Sequence, residues 1–380
     1  MSVVTKVSVL MACLNPGTYL PAAVESCLSQ RNVDVELIVI DDGSTDGSLD
    51  WLIAKAQSDH RLKLFRGRGR GPAAARNLGL EQSTGDWVAI VDADDVIHLD
   101  RFRILIELAE KNGAEISADQ LLAFQDSASG RRCWPFLSES LSVNGTMISL
   151  GSLLTPSDGA FGSEYGYLKP LINRAFLTAH KLQYDESVIV GEDFDFLARL
   201  VATGGRLYVT GIAMYFYRRH QGSLSYRLSA LAASGLISAN RRFRETYLPV
   251  GSELLDAVDK RDVALRRYKN AVNVMEALKL KRIGGAVLAL FSAPSPVSIV
   301  AQFAMEAVEK RLRRGRKNVS ARALETELYI PINRLAELKP TMLDAESVNQ
   351  IVVPLAQSDQ GGRLQLKRGL EGTFWDSYIF

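Results

Sequence analysis

At 380 residues the chain is long enough for one large domain with a smaller companion, or for two of moderate size. Hydrophobic residues make up 47% and charged residues 23%, the balance of a soluble globular protein with a sizeable core, and a net charge of +2 gives no bulk attraction to nucleic acid. Three cysteines without CxxC spacing argue against a disulfide framework or a structural zinc site, and suit a reducing, cytoplasmic compartment. The apolar run 7–14 is short for an export signal and follows a single lysine. No uninterrupted apolar stretch approaches the ~20 residues of a spanning helix. The nearest, 283–305, is broken by Ser292-Ala293-Pro294-Ser295-Pro296.

The first hundred residues alternate strand and helix signals. Lys6–Cys13 is a short apolar run that reads as a buried strand, broken by Asn15-Pro16-Gly17. Tyr19–Gln30 has helical spacing, with Leu20, Ala23, Val24, Cys27 and Leu28 on one face. Val35–Ile40 reads as a second buried strand, Leu49–Ser58 as a helix, Leu62–Phe65 as a strand, and Ala73–Ser83 as a helix. Trp87–Val91 is a strand running into Asp92-Ala93-Asp94-Asp95, and Arg101–Asn112 is a helix. Near-continuous apolar strands alternating with helices predict a mainly parallel α/β sheet covered on both faces. Ligands of such sheets bind beyond the carboxyl ends of the strands, where both aspartate clusters fall. From 115 to 226 the pattern is mixed, with short strands, and from 228 to about 317 it is mainly helical.

Three carboxylates among Asp92, Asp94 and Asp95 repel one another unless a cation or a hydrogen-bond network neutralises them. Hard oxygen ligands suit Mg2+ or Mn2+, and alternation puts Asp92 and Asp94 on one side; an acidic turn with Asp95 capping a helix is the plainer reading. Asp41 and Asp42 end a buried strand. Turn chemistry accounts for Gly43, Ser44 and Asp46, with Ser44 or Asp46 as a helix cap, but leaves two adjacent acids able to accept from a base N–H or a ribose hydroxyl. Arg66-Gly67-Arg68-Gly69-Arg70-Gly71 is a basic, flexible loop entering the helix that carries Arg76; it fits phosphate contact, and more weakly RNA. Glu192-Asp193 opens a helical stretch, either as a cap or as the site of a general base. His220, in Arg219-His220-Gln221-Gly222, fits a metal or phosphate contact, or a structural role.

Taken in order, Val7–Asn15, Asp41–Asp46, Ala75-Arg76-Asn77-Leu78-Gly79, Asp92–Asp95, Glu192-Asp193 and His220–Ser223 resemble the inverting family 2 glycosyltransferases of GT-A fold, over roughly residues 5–225. Within that family the chain is similar to bacterial exopolysaccharide enzymes such as those of succinoglycan assembly. The resemblance implies a nucleotide-sugar donor, of UDP-sugar type, and a glycan or lipid-linked acceptor. It implies that Asp42, with Asp41 beside it, holds the base and that Arg76 lies near the diphosphate. Asp92 and Asp94 would place Mg2+ or Mn2+, completed by His220, and Asp193 would be the base, supported by Glu192. Two departures stand out: Ala12-Cys13-Leu14-Asn15 where the family often has Thr-Tyr-Asn, and the arginine-glycine run before Arg76.

The expected organisation is a GT-A domain over 1–226 and a mainly helical region over 227–380. In the latter, apolar stretches Leu280–Ala293 and Val297–Ala307 precede the basic cluster Lys310–Lys317. That pattern fits a helix on an anionic membrane surface at the cytoplasmic face, or a core helix with a solvated basic end. A sugar nucleotidyltransferase would share the sheet and acids but lacks here a glycine-rich loop with lysine near the N-terminus. A non-catalytic scaffold would not need intact acidic clusters.

Overall fold

The computed structural model describes residues 4–127, 130–137, 141–155, 164–219, 229–301 and 305. Its parallel half runs β1 (Lys6–Cys13), α1 (Leu20–Leu28), β2 (Asp34–Asp41), α2 (Ser48–Ser58), β3 (Leu62–Arg66), α3 (Pro72–Gln82) and β4 (Trp87–Ile90). These strands lie in the order β3-β2-β1-β4, all parallel. β1 and β4 are built almost wholly from buried apolar residues, as strands covered on both faces require. The chain moves outward from β1 to β2 and β3, then returns to the other side of β1 with β4. That reversal opens a crevice at the carboxyl ends of β1 and β4.

The rest of the sheet is mixed. It adds β5 (Val96–Ile97), α4 (Arg101–Asn112), β6 (Ile116–Ser127), β7 (Gly130–Pro135), β8 (Thr146–Ile148), α5 (Leu150–Leu154), β9 (Leu171–Asn173), α6 (Arg174–His180), α7 (Glu192–Ala202) and β10 (Leu207–Arg218). β9 runs antiparallel between β4 and β6, while β6 and β10 are parallel. β6 and β10 are 12 residues each, longer than the short strands expected there. Ser117, Asp119, Gln120 and Thr210 interrupt their apolar pattern yet are fully buried. The β6–β10 register shifts around Ala213, and the Asp119 carboxylate accepts a hydrogen bond from the Met214 amide (2.9 Å) at that bulge.

Three further helices follow: α8 (Ala230–Tyr247), α9 (Leu255–Lys279) and α10 (Ile283–Leu290). α8 and α9 pack on the first region through Val188, Ala232, Ala233, Leu236, Ala239 and Leu265. Arg242 adds an ion pair with Asp185 (2.6 Å). The expected junction at 226/227, His220 and the basic cluster 310–317 lie outside the described residues.

Candidate active site

Asp41 and Asp42 end β2 beside Cys13, the last residue of β1. Both are buried. The Asp41 carboxylate accepts from the Gly43 and Ser44 amides (3.3 Å each), a local turn contact. Asp42 does something longer in range. Its oxygens accept from the amides of Gly69 (2.8 Å) and Gly71 (2.7 Å), so the arginine-glycine loop is wrapped around this one carboxylate. Gly69 and Gly71 have φ of +68° and +90°, and a Cβ at Gly67 would overlap the Asp42 side chain. Those glycines therefore serve the loop's own closure, and Arg70 pairs with Glu186 (2.6 Å). Ser44 is not a helix cap: its hydroxyl accepts from the Asn15 amide (3.0 Å). Asp46 accepts from Ser48 at the start of α2 and from Gly17.

Arg76 leaves the first turns of α3 and is buried. One guanidinium nitrogen donates to Asp92 (2.8 Å), and the other meets Glu192 (2.7 Å) and Asp193 (2.8 Å). Its neighbour Asn77 makes a reciprocal amide pair with the Tyr184 backbone (2.7 and 3.0 Å), which pins the 184–186 segment to α3. Tyr184 lies beneath Arg76, 5.4 Å from ring centroid to guanidinium, and its hydroxyl reaches Asp193 at 3.4 Å.

Lys169 is the group that sequence reasoning missed. Its ammonium stands 2.6 Å from Asp193 and 2.7 Å from Asp92. The fold puts it there because β9 runs antiparallel to β4: with Ala89 opposite Leu171, Lys169, two residues before β9, falls beside the residues just after β4. Arg101 holds it from behind, donating to the Lys169 carbonyl (2.5 Å) and to Asp119 (2.7 Å) in a fully buried ion pair. Asp92 is about a quarter exposed (26%). Burial would raise its carboxyl, but Lys169 and Arg76 outweigh that and hold it down to about 2. Burial and the neighbouring Asp193 charge push Glu192 up.

Asp95 is fully buried and is not a helix cap either. It accepts from the Tyr215 hydroxyl (2.8 Å) and the Arg218 amide (2.7 Å) of β10. Burial, reinforced by Asp94 and Asp92, drives its carboxyl well up. Asp92, Asp94 and Asp95 each offer an oxygen within 4.8 Å of the others. An all-carboxylate donor set of that spacing fits a hard divalent cation. The structure thus brings Arg76, Asp92, Glu192 and Asp193 into direct contact. It sets Asp41 and Asp42 at the adjacent strand end, and it does not describe His220.

A doubly wound sheet with acids gathered at its switch point is the arrangement of GT-A enzymes. The solved structure of S. aureus TarS 1-349 in complex with UDP-GlcNAc shares the fold, with a TM-score of 0.50 at 17% identity over 75% of this chain and 90% of that one. The family model for glycosyl transferase family 2 matches residues 8–135. The succinoglycan biosynthesis protein ExoO of Rhizobium meliloti (strain 1021) is 34% identical over 295 residues, 77% of this chain and 82% of that protein. ExoU of the same organism is 32% identical over 241 residues, 62% and 69% of the two chains. The chain belongs to glycosyltransferase family 2 and is a glycosyltransferase.

Proposed function

We propose that the chain transfers a sugar from a nucleotide-sugar, a UDP-sugar in the simplest case, to a glycan or lipid-linked acceptor with inversion, in the assembly of a bacterial exopolysaccharide or other cell-surface polysaccharide at the cytoplasmic face of the membrane. One observation carries this reading: Asp92 and Asp193 face the same two cations, Lys169 and Arg76, so the strand-end acids and the acid opening α7 belong to one site. The succinoglycan proteins among the relatives and the UDP-GlcNAc bound by TarS support the pathway and donor class.

On this reading Asp42, with Asp41, receives the base, and closure of the arginine-glycine loop on Asp42 completes that wall. Asp92 and Asp94, with His220, hold Mg2+ or Mn2+, and Asp95 backs them. When bound, the cation offsets the charge that builds on the departing diphosphate. Both oxygens of Asp193 are ion-paired, one with Arg76 and one with Lys169. A diphosphate competes for those same cations and thereby frees an Asp193 oxygen to take the proton of the acceptor hydroxyl. Attack on the sugar face opposite the leaving group inverts the anomeric centre. On this reading residues 1–226 are the transferase domain, and 227–380 a mainly helical region with a membrane-surface or acceptor-binding role. No helix of the described residues is long and apolar enough to cross a membrane.

The test is turnover by the purified chain with a panel of nucleotide-sugars, Mn2+ and a lipid-linked acceptor extract, with the anomeric configuration of the product read by NMR. Release of pyrophosphate from a nucleoside triphosphate, or failure of every nucleotide-sugar, would sink the proposal.

A further inference from the structure

α10 reads Ile-Gly-Gly-Ala-Val-Leu-Ala-Leu, without one polar side chain, and of its residues only Ala286 is buried. Leu280, Ile283, Val287, Leu288, Phe291 and Val297 stand out from the surface, Leu288 at 77% and Phe291 at 86% exposure. Scattered exposed apolar residues are ordinary; a run of them along one short helix and its flanks points to an interaction site. Two familiar destinations for such a helix fail. It is not core, because its apolar residues are exposed. It does not span a bilayer, because eight residues reach only about 12 Å against a hydrocarbon thickness of roughly 30 Å.

Charge selects among the remaining occupants. Lys279, Lys281 and Arg282, all exposed, lead into the helix. From 277 to 305 the sequence holds no aspartate or glutamate. Apolar side chains rimmed by cations, with no anion among them, match the acyl boundary and headgroups of an anionic leaflet. The face is also tied to the site. α9 ends beside α10, and near its other end Arg261 stacks on Phe194, next to Asp193, with 4.0 Å between guanidinium and ring centroid. Arg261 and Lys279 are separated by about 27 Å of helix, so a site acting on membrane-borne acceptors stays within reach of the leaflet.

We infer that α10 with its flanking segments is a monotopic foot, lying in the interface of an anionic lipid bilayer with Leu288 and Phe291 inserted and Lys279, Lys281 and Arg282 on the headgroups. It uses the apolar stretch 280–293 read from the sequence, with Lys279, Lys281 and Arg282 as its cations rather than the cluster at 310–317. It does not depend on the donor or on turnover, so it stands or falls apart from the transfer reaction.

The experiment is flotation of the full-length chain with vesicles of phosphatidylcholine, with and without phosphatidylglycerol. The wild type floats with the phosphatidylglycerol vesicles and only weakly with phosphatidylcholine alone. The double variant Leu288→Asp, Phe291→Asp partitions at least about tenfold less, with an unchanged melting temperature. The triple variant Lys279→Ser, Lys281→Ser, Arg282→Ser loses the preference for phosphatidylglycerol. Wild-type flotation by the double variant overturns the inference. So does a wild type that ignores both vesicles and is a dimer which the double variant dissociates, since a second copy then covers the face.

Discussion

Asp92 and Asp193, on different elements and far apart in the sequence, are bridged by one ammonium group, with Lys169 2.7 Å from the first and 2.6 Å from the second. Arg76 repeats the bridge from the other side, at 2.8 Å to each. Two cations therefore hold a strand-end acid and a helix-start acid in one plane of contact. The arrangement offsets the repulsion that would otherwise part them, and both bridging cations are themselves buried, with side-chain exposures of 4% for Arg76 and 8% for Lys169.

Lys169 should matter to transfer alongside the acids it joins. Lys169→Met removes a positive charge that the proposed mechanism uses on the diphosphate and leaves Asp92 and Asp193 bridged only through Arg76. Transfer should fall roughly 100-fold in kcat/KM, the usual effect of losing one such electrostatic contact. Lys169→Arg should restore part of it. Steady-state kinetics with circular dichroism as the fold check decides the matter; a Met variant within twofold of wild type would remove Lys169 from the machinery.

Asp193 and Asp94 should fail in different ways. Asp193→Asn removes the proposed proton acceptor and should lower kcat by roughly 1000-fold with the donor KM nearly unchanged. Asp94→Asn should instead raise the Mn2+ concentration needed for half-maximal rate, and chelation should silence the wild type reversibly. Metal titrations of both variants separate these outcomes. Equal metal dependence in Asp94→Asn and wild type would contradict the proposed cation site.

The parallel half of the fold was legible because its strands are buried on both faces: β1 falls at Lys6–Cys13, where its apolar pattern puts it, and helical spacing likewise places α4 at Arg101–Asn112. Arg76, Asp92, Glu192 and Asp193 were legible from their ordered motifs, and the structure brings them into contact. Lys169 was not, since a single lysine before Pro170 gains its meaning only from the antiparallel pairing of β9 with β4, which no local pattern encodes. Asp119 offered a signal. A charge inside an apolar strand needs a partner, and Arg101, opening α4, supplies it. For Asp41 and Asp42 the sequence could not separate turn chemistry from ligand chemistry. The structure gives Asp41 the turn and Asp42 the distant loop.

Gly191 sets the entry to α7. Its φ is +81°, and an added Cβ would lie 2.8 Å from the Leu236 side chain of α8. Gly191→Ala should therefore strain the backbone and push aside the end of the Leu236 side chain, costing about 1–3 kcal/mol of stability. It should also lower turnover by shifting Asp193 against Lys169. Urea unfolding alongside kinetics tests both effects; an alanine variant of normal stability would show that the helix entry tolerates the change.

Glu36 should give the fold an acid-sensitive hinge point. In β2 it accepts from Ser8 (2.5 Å), the Thr84 amide (2.7 Å) and Lys63 (2.7 Å), tying β1, β2, β3 and the turn before β4 together. Burial works against its charge, but Lys63 and the hydrogen bonds from Ser8 and Thr84 outweigh that and hold the carboxyl well below its ordinary range. The sign follows from proton binding. In the unfolded chain Glu36 takes up its proton near pH ~4.3, while in the folded chain it resists until lower pH. Its contribution is thus complete above pH ~4.3 and declines as the pH drops below that value. Glu36→Gln should cost about 3 kcal/mol at pH 7, by leaving Lys63 and the Ser8 hydroxyl poorly matched, and should flatten the stability profile between pH ~4.3 and lower pH. Chemical denaturation across that range measures both. A variant that keeps the wild-type slope would place the acid sensitivity on another carboxylate.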